Sequence, residues 1–141
     1  MKPYVTLLLN FMAEKAKLVA KFYPGVDFYN AGDAEDLSSW KEAEAREFFL
    51  NLKFGLRRYP KLNDCDLCPW CALRTCSAFQ GKPRCGYQDR HGQCDDTDSA
   101  YDKIFQRGSV ATRMTDAHPE EFLELAVKYL DKFSELEEES K

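Results

Sequence analysis

All six cysteines of the chain fall between Cys65 and Cys94, spaced C-x2-C-x2-C-x4-C-x8-C-x8-C. No other feature narrows the possible folds as much. From Lys61 to Asp96 neither a helical nor an alternating apolar period runs through the sequence, and Cys, Gly, Pro and charged residues dominate. Such a stretch cannot bury enough apolar surface to offset the entropy of ordering it, so a cross-link or a metal must supply what packing does not.

Which of these it is depends on the compartment. The longest uncharged apolar run, Pro3 to Ala13, contains Asn10 and is about half the ~20 residues that a transmembrane helix needs. As a secretion signal it is equally weak: one basic residue precedes it, no small-x-small cleavage site follows, and it continues into a helical pattern through Phe22. The expectation is a cytoplasmic chain without a membrane partner. Its thiols are then reduced, and clustered cysteines read as metal ligands or redox groups before they read as disulfides.

The C-x2-C step places two thiolates on one tight turn, so that both can bind a single ion while two later thiolates close a tetrahedron. Cys65, Cys68, Cys71, Cys76, Cys85 and Cys94 are all candidate ligands, more than zinc requires. Structural zinc binds with an apparent free energy of about 10–16 kcal/mol, comparable to the stability of a whole small domain. Cys65-x2-Cys68-x2-Cys71 also matches the three-thiolate start of a [4Fe–4S] motif, but the fourth cysteine follows after four residues rather than three and precedes Ser77 instead of Pro. Zinc is the first expectation, an iron–sulfur cluster the alternative, disulfides or simple thiols the third. His91 could replace a cysteine as a ligand, although a histidine beside Gly92 in a polar loop reads first as solvated.

The flanks are helical in pattern. Leu8, Phe11, Met12, Leu18, Val19 and Phe22 recur at helical intervals and predict a helix over about 4–22, ended by Pro24-Gly25. Asp33-x-x-Asp36 or Ser39-x-x-Glu42 can cap a second helix carrying Trp40, Ala43, Phe48, Leu52 and Leu56 on one face, limited by Pro60. A short helix can begin at Asp98 or Ser99, carry Tyr101, Ile104 and Phe105, and close at Gly108. After Asp116 or His118, Pro119 and Glu120-Glu121 suit a helix start, and Phe122, Leu125, Ala126, Tyr129, Leu130, Phe133 and Leu136 form a continuous stripe. The terminal Glu135-to-Lys141 stretch reads as a frayed end. The 141 residues suffice for one domain that buries roughly two-thirds of its surface. The predicted fold is therefore mainly α: a single domain with N-terminal helices over 1–60, a metal-stapled irregular cysteine-rich insert over 61–96, and C-terminal helices over 97–141.

Charge is uneven. Between Lys53 and His91 eight basic residues face three acidic ones, in a chain whose net charge is −4. Arg57, Arg58, Arg74, Lys82, Arg84 and Arg90, interleaved with Tyr59, Trp70, Phe79 and Tyr87, have the composition of a surface that binds single-stranded nucleic acid. The plainer reading has these arginines solvated or paired with the acidic helices, since the overall pI of 5.3 repels nucleic acid at long range. Two catalytic readings fail on context. Cys68-Pro69-Trp70-Cys71 lacks the preceding strand of a thioredoxin-type redox pair. His118-Pro119-Glu120 with Cys68-x2-Cys71 inverts the order of a zinc-deaminase motif. No nucleophile with its base, no carboxylate pair in an apolar pocket and no phosphate loop is visible, which favours a non-enzymatic role.

Cys65-Asp66-Leu67-Cys68, the later cysteines, Cys94 followed by Ser99-Ala100-Tyr101, and the amphipathic Glu121-to-Leu130 segment together resemble small cysteine-rich proteins of bacteriophages and prophages. The likeness covers about residues 65–133, and Cys71 and the wide spacing of Cys85 and Cys94 depart from it. It implies a setting, the cytoplasm of an infected bacterium, without implying a reaction; the expected partner there is a protein, bound by a surface that the helices present.

Overall fold

The helical period at the N-terminus becomes α1, Pro3–Phe22, with proline in its first turn where a missing N–H costs nothing. The computed structural model describes residues 2–58, 67–72, 86–91 and 114–140. The remaining described helices are α2 (Ala31–Ser38), α3 (Glu42–Arg58), α4 (Pro69–Ala72), α5 (Gly86–His91), α6 (Met114–Ala117) and α7 (Pro119–Glu139). No strand occurs among the described residues, so the mainly α expectation holds. No described helix is long and apolar enough to cross a membrane.

Helix α1 packs against α2, α3 and α7, and α3 against α7. Leu8, Phe11, Met12 and Val19 of the anticipated stripe are buried, while Leu18 and Phe22 pack at its edge. The centre is aromatic. Phe11 meets Phe48, Phe49 and Tyr129 at ring separations of 5.5, 6.3 and 5.4 Å, and Phe49 stacks on Phe133 at 5.4 Å. Tilted and edge-to-face pairs at such separations add attraction beyond the apolar area they bury.

One cap is supplied from a distance. Lys2, at the N-cap of α1, makes no side-chain capping bond. The Glu42 carboxylate instead accepts from the amides of Tyr4 (3.0 Å) and Val5 (2.7 Å), placing negative charge at the positive end of α1.

The one helix anticipated from either Asp33 or Ser39 to about residue 59 is two helices, and the later start lies near the beginning of α3 at Glu42. Asn30 and Asp33 form a reciprocal capping box, the Asp33 amide donating to Asn30 Oδ1 (3.2 Å) and the Asn30 amide to Asp33 Oδ2 (2.8 Å), so α2 begins a turn before either predicted cap. Trp40 then sits buried between α2 and α3. The buried face of α3 differs from the anticipated one: Ala45, Phe48, Phe49 and Leu52 are buried, and Ala43 is exposed.

At the C-terminal end, His118 precedes α7 and Pro119 opens it, as the sequence indicates. Phe122, Leu125, Ala126, Tyr129 and Phe133 are buried, and Leu130 and Leu136 pack against the core's margin. The expected frayed end is instead helical through Glu139. It is held by the Tyr4 hydroxyl donating to Glu137 Oε2 and by a two-pronged ion pair from Arg46 to Glu137 (3.0 and 2.7 Å). The predicted helix beginning at Asp98 or Ser99 lies outside the described residues.

Candidate functional site

Of the described pieces of the cysteine segment, residues 67–72 pack against α3 and bond to α1 and α2 through Lys15 and Asp36, and residues 86–91 pack against α2. Asp33 and Asp36 stand three apart on α2, which puts both carboxylates on one face. The Trp70 indole donates to Asp36 Oδ2 (3.0 Å), and Arg90 donates to Asp33 Oδ1 (2.5 Å) and Asp36 Oδ2 (3.0 Å). His91 Nε2 lies 2.6 Å from Asp33 Oδ2. Asp33, fully buried, thus closes its own helix's capping box with one end of its chemistry and clasps α5 with the other.

Burial by itself would raise the Asp33 carboxyl, but hydrogen bonds from His91, the Asn30 amide and Arg90 outweigh it and hold the group below the usual carboxylate range. An ionised carboxylate only accepts, which puts the shared proton on His91 Nε2. The other ring nitrogen, Nδ1, is buried without a hydrogen-bond partner, and the Asp27 carboxylate stands 4.0 Å from it.

Aromatic rings line the clamp. Tyr87 lies 4.9 Å from Trp70 and stacks on His91 at 4.2 Å, and its hydroxyl donates to the Phe28 carbonyl (2.6 Å). Arg90 lies over Trp70, 5.8 Å from the ring centroid. Gly32 makes room for it, since a Cβ there would come within 2.8 Å of Arg90 Cδ. Lys15 completes the anchorage from α1: its buried ammonium donates to the Leu67 carbonyl (2.8 Å) and lies over the Phe28 ring. A charge inside an apolar helix face is costly unless it is hydrogen-bonded, and the main chain beside Cys68 provides the acceptor.

Of the six anticipated ligands, Cys68 and Cys71 lie on described backbone, with the Cys68 side chain half-buried. Cys65, Cys76, Cys85 and Cys94 lie outside the described residues. Among the described residues, no three His, Cys, Asp or Glu side chains gather around a common point. Of the six basic residues considered for nucleic acid, Arg57 is exposed and Arg90 is turned inward onto two carboxylates. Arg58 falls at the end of α3, and Arg74, Lys82 and Arg84 lie outside the described residues.

His91 corrects the solvated-loop reading. It ends a helix, with its side chain 1% exposed. Sequence reasoning also missed Lys15 and the second role of Asp33. The signal for Lys15 was there: it falls in step with Phe11, Met12 and Val19 on a face otherwise apolar. Asp33 and Asp36 read naturally as caps, and nothing local discloses that the partners they clasp in the cysteine segment are 34 to 58 positions away. No family model, no curated protein and no solved structure matches the chain.

Proposed function

We propose that the protein is a non-enzymatic, zinc-stabilised interaction protein of phage or prophage origin, acting on a host or phage protein in the bacterial cytoplasm. In this reading Cys65, Cys68, Cys71, Cys76, Cys85 and Cys94 supply the thiolates that hold the ion, and the helices present the binding surface. The observation that carries it is the polar clamp. Two short helices of the cysteine segment are pinned to α2 by Asp33 and Asp36, and of that segment's described residues Leu67, Trp70 and Tyr87 join the buried apolar core. A segment fixed at discrete points in this way is one whose remaining order has to come from a cross-link or an ion. Leu123 and Val127, one turn apart on the outer side of α7, and Phe54 on α3 are large apolar side chains left exposed, which suits a protein partner.

Elemental analysis of anaerobically purified protein tests the proposal. About one zinc per chain, lost together with protease resistance of the cysteine segment when Cys65 and Cys68 are replaced by Ser, is the expected outcome. Brown protein containing iron and sulfide would assign an iron–sulfur protein instead. Protein free of metal, with unchanged protease resistance in the Cys65→Ser/Cys68→Ser variant, removes the metal-stabilised reading.

A further inference from the structure

The least explained polar atom in the described structure is His91 Nδ1. Its ring is 1% exposed and is fixed from three directions: Nε2 on Asp33, one face stacked on Tyr87, and its backbone at the end of α5. Buried polar atoms nearly always have a partner. Nδ1 has none, and it faces Asp27 Oδ2 across 4.0 Å, too far for a hydrogen bond.

That arrangement matches a metal-ligating histidine. Such a ring presents one nitrogen to the ion and donates the other N–H to a carboxylate, which fixes the tautomer, orients the ring and raises its basicity. Here Asp33 is the carboxylate behind the ring, and a neutral imidazole that donates its Nε2–H to that carboxylate carries its lone pair on Nδ1. An ion about 2.0–2.2 Å from both an imidazole nitrogen and a carboxylate oxygen spans a gap close to the one seen. Asp27 is free to close the difference, because its side chain is 68% exposed and tied only loosely by Asn30 Nδ2 at 3.2 Å. Cys85 precedes His91 by six positions and Cys94 follows it by three. A nitrogen, a carboxylate oxygen and thiolates are a donor set suited to zinc.

We infer that His91, through Nδ1, and Asp27 are ligands of a divalent zinc-class ion, with Asp33 as the positioning residue behind the imidazole. The inference rests on the proposed reading in one respect: two described donors do not complete a coordination shell, and thiolates of the cysteine segment fill the rest.

The test is titration of the chelator-stripped full chain with Zn(II), and with Co(II) as a spectroscopic probe, in wild type and in His91→Ala, Asp27→Asn and Asp33→Asn. His91→Ala removes a buried ring and can cost folding, so Asp27→Asn, at an exposed site, provides the independent arm, and circular dichroism checks the helices in both. The expected result is a loss of zinc affinity of about tenfold or more for Asp27→Asn and about 10–100-fold for Asp33→Asn, with shifted visible Co(II) bands in His91→Ala and Asp27→Asn. Wild-type affinity and an unchanged Co(II) spectrum in folded Asp27→Asn and His91→Ala would overturn the inference and leave a thiolate-only site standing. A wild-type chain that takes up neither ion, as when a water alone bridges Nδ1 and Asp27, overturns both this inference and the metal-stabilised reading.

Discussion

The bundle of α1, α3 and α7 and the clamp that α2 makes with α4 and α5 are built on opposite principles. In the bundle, cohesion is spread over interlocking rings such as Phe11, Phe48, Phe49, Tyr129 and Phe133, none of which depends on a single partner. In the clamp a smaller apolar contact through Leu67, Trp70 and Tyr87 is tied down by two carboxylates, and Asp33 alone receives an amide, a guanidinium and an imidazole. A region held by area fails everywhere at once. One held by a few directed bonds can let go locally while the remainder stays folded.

The largest effect should come from the bundle. Phe122→Ala or Phe133→Ala removes a fully buried ring and should cost about 3–5 kcal/mol, read as a lower denaturant midpoint that is the same for every probe. The comparison weakens if such a variant releases α5 before it releases α1. Next, Asp33→Ala should cost about 1–3 kcal/mol through the donors it orphans, and the loss should be local. Hydrogen exchange would then quicken in α5 and around Trp70 and leave the centres of α1 and α7 protected.

Gly32→Ala sharpens the contrast at smaller scale. Alanine normally stabilises a helix by about 1 kcal/mol relative to glycine. Its Cβ would here meet Arg90 Cδ at 2.8 Å, so the gain should vanish and Trp70 fluorescence should change as Arg90 is displaced.

The smallest effect is electrostatic and at the far end of the bundle. Arg46 and the Tyr4 hydroxyl bring the Glu137 carboxyl down from 4.5 to about 2. A carboxyl lowered on folding adds stability that is complete above its unfolded value and disappears as the pH falls through its folded one. The contribution from Glu137 should therefore fade between about pH 4.5 and 2, and added salt should shrink it because Arg46 is exposed. Glu137→Gln should flatten that part of the stability profile. Asp33, also lowered, should contribute in the same direction, and α5 should register its loss first.

How much was legible in the sequence follows the same division. The bundle was nearly all visible, because a helix facing an apolar core writes a period of three and four into its own residues, as Phe122 to Leu136 do. Where reading failed there, a long-range partner decided the outcome: Tyr4 and Arg46 keep the glutamate-rich end helical, against its own composition. The separate helix before Trp40 was missed because Asn30 was not considered as a cap, while the alternative start at Ser39 lies near that of α3. The clamp was hardly visible. His91 in a stretch of Gly, Gln and Asp carries no local mark of burial, and its environment is made by Asp33 and Tyr87 through the fold.

The carboxylate of Glu42 at the start of α1 bears on the order in which the chain assembles. A helix without a cap of its own frays at its first turn, and the segment that repairs α1 emerges 37 to 38 residues later. The first turn of α1 is therefore completed only once the chain has reached the start of α3. Closing so long a loop is slower than forming a local cap, but its entropic cost grows only with the logarithm of length. A chain interrupted before Glu42 has the residues of its first helix without the carboxylate that holds its beginning in place.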